Sequence, residues 1–437
     1  MLSALLTALI IGLALGGYME LVAHQNNSTN RSLAWNGALP VAEGGIEEAL
    51  THLNDDTSHT ANGWSATNVN GQTVYRKVRL FTSDGSKQVV TISNATANPV
   101  IFAKATVPGP VNKAPVSRVV KVTTTPKGQF GAGILTKNAI NLGSDFLINS
   151  FDSTDPNYST NGKYDKNKVK ANGDLATVSP IVGQLQIADS DIYGHVYTTA
   201  TGSYTLGKAG FVGDQAFGSN PANAGKVQAG HDFNDLNTTI PDAVPPAGWS
   251  SWPYPTGGTY NGVTYTYILY SGGYQLPSGT TLKGKILVLG NAKLYVPQNG
   301  RIQFGSGDVI TINPALAATL EIHNASSTDV VMKDVSNDSG DATRFSYIGL
   351  PTTAGSKLTL TGSGAYAFAG TIYAPNQKVV MTGSSSGNED FVGSITCDNF
   401  TMSGHSYMHY DEALSKKNGS PKVVIDSYAE LSPSIEL

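Results

Sequence analysis

The sequence predicts a mainly β protein with a long N-terminal α-helix, in which a small antiparallel sheet is followed by a β-helix or solenoid. Three observations lead there. Residues 1–19, MLSALLTALIIGLALGGYM, carry no charge before Glu20, and as a helix they would run roughly 28 Å, enough to cross a bilayer. The chain beyond them is rich in Gly, Thr, Ser and Asn, and only 14% of the 437 residues are charged. Finally, an imperfect repeat recurs late in the chain: FAGTIYAPNQKVVMTG starts at Phe368 and FVGSITCDNFTMSG at Phe391, 23 residues on.

The first element spans residues 1–54. Leu2, Leu5, Leu6, Leu9, Ile10, Leu13 and Leu15 surround the helix on nearly every face, as lipid or the centre of a helix bundle requires. Gly12 and Gly16 form a small-xxx-small pair that lets neighbouring helices approach closely. Asn36, Gly37, Pro40, Gly44 and Gly45 predict a break near 36–45, because Pro and Gly weaken helix interiors. From 45 to 54 the amphipathic pattern resumes, with Ile46, Ala49, Leu50 and Leu53 on one face.

Residues 55–126 form the second region. The runs 73–81, 87–93, 99–107 and 117–125 are β-branched and alternate in polarity, and SDGS at 83–86 reads as a hairpin turn. They predict a small antiparallel sheet that the second helical segment can cover.

Residues 127–437 form the third. FGAGILTKNAINLG from Phe130 shares Phe, Ile and Asn with the Phe391 copy at identical spacing, and DIYGHVYTT near Ile192 is a weaker relative. Short apolar triplets punctuated by Gly, Asn or Asp every 20 to 30 residues suit coils that bury their inward residues only against the next coil. Further candidate rungs are 283–290, 292–297, 300–305, 308–313 and 357–362. A sandwich of short strands is the alternative. Between about 199 and 281 the repeat fades into Gly/Pro/aromatic-rich chain, whose Trp249, Trp252, Tyr254, Tyr260, Tyr265 and Tyr267 predict an insertion packed over the scaffold.

Charge and composition narrow the function. A net charge of −4 with six arginines leaves no basic face for nucleic acid. Cys397 is the single cysteine, so no intrachain disulfide forms, and it reads as a small buried hydrophobe. His405, His409, Asp411 and Glu412 cluster in sequence but lack a metal-binding spacing. Asp152, Asp155 and Asn157, and Asn337, Asp338 and Asp341, offer hard oxygen ligands for calcium without EF-hand spacing, in compositions common to turns. Asn26, Asn27, Asn30 and Asn94 head N-x-S/T sequons and are the candidate glycosylation sites.

The opening helix, AEGGIEEAL at 42–50 and FVGSITCDNFTMSGHSYMHYDEAL at 391–414, ending in His409, Tyr410, Asp411 and Glu412, resemble large type IV pilin-like proteins akin to the PilX-type pilus-assembly proteins. The resemblance covers the two ends of the chain and reaches the middle only through architecture. It implies a prepilin peptidase that cuts a short basic leader before Met1, which accounts for the lack of a basic segment ahead of the apolar stretch. It implies a precursor anchored in the inner membrane, an inner-membrane assembly machinery, and a helical homopolymer at the cell surface with β domains outside. Assembly is then carried by Met1, Leu2, Leu5, Leu6, Leu9, Ile10, Gly12, Leu13, Gly16 and Tyr18. One departure stands out: Leu5 occupies the position where common pilins carry a glutamate. No catalytic residue, metal site or cofactor beyond possible calcium is expected. The alternatives are a membrane-tethered carbohydrate-active β-helix and a minor tip adhesin.

Overall fold

The computed structural model describes residues 2–54, 62–69, 72–93, 99–110, 114–127, 130–143, 146–305, 307–333, 337, 340–361, 368–382, 390–404, 406–416 and 422–434. The chain divides into two compact units, Met1–Lys127 with Asn418–Leu437, and Gly128–Lys417. The first unit thus takes in the last segment of the chain, 418–437, as well as its beginning.

In the first unit, helix α1 (Leu2–Asn54) faces a six-stranded antiparallel sheet. The sheet comprises β1 (Ser65–Val69), β2 (Gln72–Leu80), β3 (Lys87–Ser93), β4 (Val100–Val107), β5 (Val116–Lys127) and, beside β5, the C-terminal strand Lys422–Leu431. The four strands read from the sequence are present, and so is the turn between β2 and β3. There Gly85 takes a positive φ of 75°, and the Asp84 carboxylate accepts from the Ser86 N–H at 2.9 Å. The Ser86 bonds hold the Asp84 carboxyl below its ordinary pKa.

The expected helix break is absent: α1 runs without interruption through 36–45, with Pro40 inside it. Position on the helix explains the difference. Pro40, Gly37 and Gly44 all sit on the exposed side, where a carbonyl that loses its intrahelical donor can bond to water. The opposite side carries Ala38, Ala42, Ile46 and Ala49, all buried against Val90, Ile92, Ile101, Ala103, Val120 and Val122. Gly45 belongs to this stripe, since an added Cβ would lie 2.7 Å from Val90 Cγ2. Small residues thus bring the helix close to the sheet, and apolar burial outweighs their poor helix propensity. Buried Gln88 donates to the Val41 carbonyl, and Glu48 pairs with Lys77 at 2.7 Å and Arg79 at 2.9 Å. Arg118 of β5 grips Glu430 of the C-terminal strand with two hydrogen bonds, one of 2.6 Å, which fixes the register of that last strand.

The second unit is built mainly of strands paired in parallel, one above another. The repeat found in the sequence is the register found in the structure. Phe368 pairs with Phe391, Gly370 with Gly393, Ile372 with Ile395 and Met381 with Met402. The third copy joins in the same way, Ile134 beside Ile395 and Ile140 beside Phe400. One inward column runs through Leu294, Ile322, Tyr347, Ile372, Ile395, Ile134, Leu175 and Val196, each paired with the next. Every member is fully buried. Tyr347 spends its hydroxyl inside the core, donating to Gln377 at 2.7 Å and accepting from Asn324 at 2.8 Å. Burial pushes that phenol well above its ordinary pKa.

The coil order is not the chain order. From the coil at 134–151 the chain winds one way through 185–197 to 204–213. It re-enters the stack at the far end and winds back through 291–296, 319–324, 345–349 and 368–382 to 390–411. The last coil thus lies directly against the first: Ser406–Asp411 pairs in parallel with Phe146–Phe151. Strands at Tyr204–Leu206 and Phe211–Gly213 also stack as rungs, so the insertion expected at 199–281 shrinks to its middle. Trp249 covers the coils there, its ring 3.9 Å from that of Tyr295, and Trp252 lies flat on Gly273, where a Cβ would meet it at 2.2 Å.

Candidate assembly helix and the coil splice

The residues assigned to assembly that are described, Leu2 to Tyr18, occupy the N-terminal part of α1 and are exposed. Leu2 is 85% exposed and Leu13 69%, and Leu5, Leu6, Leu9, Ile10 and Tyr18 are exposed as well. An added Cβ at Gly12 or Gly16 would meet no atom within 4 Å. Met1 lies outside the described residues. The helix is long and apolar enough to cross a membrane. Contiguous exposure of this kind marks a surface that lipid or another protein covers. Burying the six Leu and Ile side chains named here is worth roughly 9–18 kcal/mol at about 1.5–3 kcal/mol each. Thr7 Oγ1 donates back to the Ser3 carbonyl at 2.8 Å, so the polar group nearest Leu5 is satisfied within its own helix. Asn26, Asn27 and Asn30 are exposed further along α1, whereas Asn94 lies outside the described residues.

The HYDE segment proves to be the splice between the last coil and the first. His409 Nδ1 hydrogen-bonds Asn149 Oδ1 at 2.7 Å, and its ring stacks on Tyr164 at 3.5 Å. Tyr410 donates to the Phe130 carbonyl at 2.7 Å. Asp411 Oδ1 accepts from the Ser153 and Ala413 N–H groups, while Oδ2 is buried with no hydrogen-bond partner among the described residues. Desolvation raises the Asp411 pKa. Glu412 gathers Ser150 Oγ and Asn172 Nδ2, both at 2.8 Å, together with the Lys170 ammonium. These contacts hold coils that are about 260 residues apart in sequence. His405 lies outside the described residues.

The two oxygen-rich segments cap turns. Asp152 Oδ1 accepts from Thr154 N at 2.9 Å, and Asp155 Oδ1 from Asn157 N at 2.9 Å. Asp341 Oδ1 caps Thr343 N at 2.8 Å, and Asn337 donates to the Asp341 and Ala369 carbonyls. Asp338 lies outside the described residues. Among those residues no group of three or more His, Cys, Asp or Glu is gathered to hold a metal ion. Cys397 is fully buried in a strand, and burial pushes its thiol pKa far up. The sequence did not single out Lys170, Asn172 or Ser150 as partners of Glu412; the shared Phe130 and Phe391 repeat was the one signal that the two coils correspond.

The fold defines a class: a protein with a bare apolar N-terminal helix and a long run of stacked parallel β-coils. A family model described as a domain of unknown function, DUF7305, matches residues 220–417. No curated protein matches the chain. Among solved structures, the crystal structure of the competence-associated pilin ComZ from Thermus thermophilus is similar over 93% of this chain and 97% of that one, with 9% sequence identity and a TM-score of 0.24. A score that low carries no argument about function.

Proposed function

We propose that the protein is a structural subunit of an extracellular type IV pilus-like filament. It polymerises as a helical homopolymer through the N-terminal part of α1 and displays its stacked coils outward for adhesion or protection. Before assembly the same helix anchors the subunit in the inner membrane, where a prepilin peptidase and the pilus assembly machinery act on it. The observation that supports this reading most strongly is the uncovered helix: Leu2 to Tyr18 is apolar all round, whereas the same helix from Ala38 onward is packed on its own sheet. One continuous helix therefore has a half committed to the protomer and a half that needs outside partners. Gly12 and Gly16, open on every side, suit close helix approach in such a bundle. With Leu5 in place of a glutamate, apolar packing rather than a charge pair sets the subunit register.

The test is a deletion of residues 1–24, compared with the full chain purified in detergent and then freed of it. The full chain is expected to sediment as filaments and the deleted chain to remain a soluble monomer. Filaments that survive the deletion would overturn the proposal.

A further inference from the structure

We propose that the exposed side of α1 between Asn36 and Glu47 seats the bare half of the same helix from a second copy of this chain, with Arg31 of one copy paired to Glu47 of the other. This contact rests on the filament reading above and lies further along the helix than the apolar packing of Leu2 to Tyr18. Arg31 is the only lysine or arginine in α1. At about 100° per residue, Glu20, Asn27 and Arg31 lie within about 20° of the direction in which Ala38 meets the sheet. Asn36, Glu43 and Glu47 lie about 140–180° from that direction, on the side turned away from the sheet. All six side chains are exposed. Among the described residues Glu20, Arg31 and Glu47 form no salt bridge, whereas the adjacent Glu48 is committed to Lys77 and Arg79.

In a filament with α1 along the axis and the first-unit sheets outside it, the sheet side of each helix faces outward and the other side inward. The bare half runs on beyond its own sheet, so its outward side meets the inward side of another copy's packed half. One stagger matches the two sides. With the helices parallel and offset by 16 residues, about 24 Å along the axis, Arg31 faces Glu47, Asn27 faces Glu43 and Glu20 faces Asn36. Each pair joins a donor to an acceptor: guanidinium to carboxylate, then an amide to a carboxylate in the other two. Glu43 keeps its second oxygen for this, since the Tyr428 hydroxyl bonds only Oε1, at 3.3 Å. An offset about one turn shorter would set Arg31 on Glu43, but would turn Asn27 to Leu39 and Glu47 to Trp35. Gly37 and Gly44 flank the strip. A Cβ at Gly37 would meet nothing within 4 Å and one at Gly44 only the Gln88 amide at 3.9 Å, so a second helix can come close. An unpaired guanidinium inside such a bundle is costly, and pairing with Glu47 removes that cost.

The test frees the full chain of detergent and measures the fraction that sediments as filaments. Arg31→Glu and Glu47→Arg should each lower that fraction at least about fivefold, and the two reversals combined should restore it to within about twofold of the parent. Far-UV circular dichroism should be unchanged in all three, because both side chains are exposed in the protomer. In a second measurement, Arg31→Cys combined with Glu47→Cys is treated with a short bis-maleimide after assembly. The paired cysteines should give a ladder of linked multimers on a denaturing gel and either one alone should not, with Cys397 buried throughout. Single reversals that assemble as the parent does, a combined reversal that fails to recover, or paired cysteines that give no ladder would overturn this contact while the filament reading stands. A parent chain that forms no filaments would overturn both.

Discussion

Replacing Gly393 by alanine should damage the coil stack more than any other single-methyl addition to the repeat. Gly393 has a φ of 145°, a region closed to L side chains, and a Cβ there would stand 1.8 Å from the Gly370 carbonyl oxygen. Normal Cβ contacts begin near 3.0 Å, so the two paired backbones would have to separate by more than an ångström. Their neighbours resist, because Ile372 and Ile395, two residues along, are both fully buried. Backbone strain of about 1–3 kcal/mol and a similar cost for forcing packed layers apart give a loss of about 2–6 kcal/mol. A unit of this size loses roughly 2–4 °C per kcal/mol, so its unfolding midpoint should fall by about 5–20 °C. The assay is thermal unfolding of the detergent-solubilised chain followed by circular dichroism at a strand wavelength. Gly12→Ala, which adds its methyl to open space, is the control and should leave the transition unchanged. A Gly393→Ala midpoint within 2 °C of the parent would refute the close stacking of these rungs.

Three further outcomes follow from the packing. Glu412→Ala should cost about 1–3 kcal/mol in urea unfolding, because Ser150, Asn172 and Lys170 at the splice all lose their acceptor; an unchanged midpoint would show that the splice does not depend on that carboxylate. Glu321 is held down to a pKa of about 2, chiefly by its hydrogen bond from His323 and also by Lys293. A lowered carboxyl pKa stabilises the fold above its unfolded value of 4.5, and that contribution disappears as pH falls through about 2. After allowance for partial exposure it is worth about 1–2 kcal/mol, so Glu321→Gln should be less stable than the parent at pH 7 and nearly equal to it at pH 2; a gap that widens on acidification would contradict the assignment. Cys397, buried with its thiol pKa raised, should resist a thiol-reactive disulfide reagent in the native chain and react fully in denaturant; rapid native labelling would mean that this strand opens.

The sequence reveals the local structure of this protein well and its long-range connections poorly. The Phe368 and Phe391 repeat, read as two equivalent rungs, is a parallel pair residue for residue, because identical inward side chains must stack to bury each other. The four strands of the first sheet were legible for the same reason, through alternation that a half-buried strand requires. The continuity of α1 was not. Pro40 and its neighbouring glycines argue for a break residue by residue, and only the tertiary contact of Ala38, Ala42, Gly45 and Ala49 with the sheet reverses that argument. The pairing of Lys422–Leu431 with β5 was equally hidden, since a β-rich run shows its face but not its partner, here roughly 300 residues away. The splice lies between these cases: the shared motif at Phe130 and Phe391 marks the two coils as equivalent, yet does not show that they touch. Of the candidate assembly residues, the sequence gives the apolar character of Leu2 to Tyr18, while their complete exposure beside a packed continuation of the same helix appears only in three dimensions.

The most direct test of the filament account is electron microscopy with helical reconstruction of material sheared from the cell surface, joined to mass spectrometry of its N-terminus. The account predicts uniform filaments of this chain, with the 2–33 helices bundled along the axis and the β-coils outside. Dispersed particles recovered only with the membrane fraction, their helices still in lipid, would contradict it.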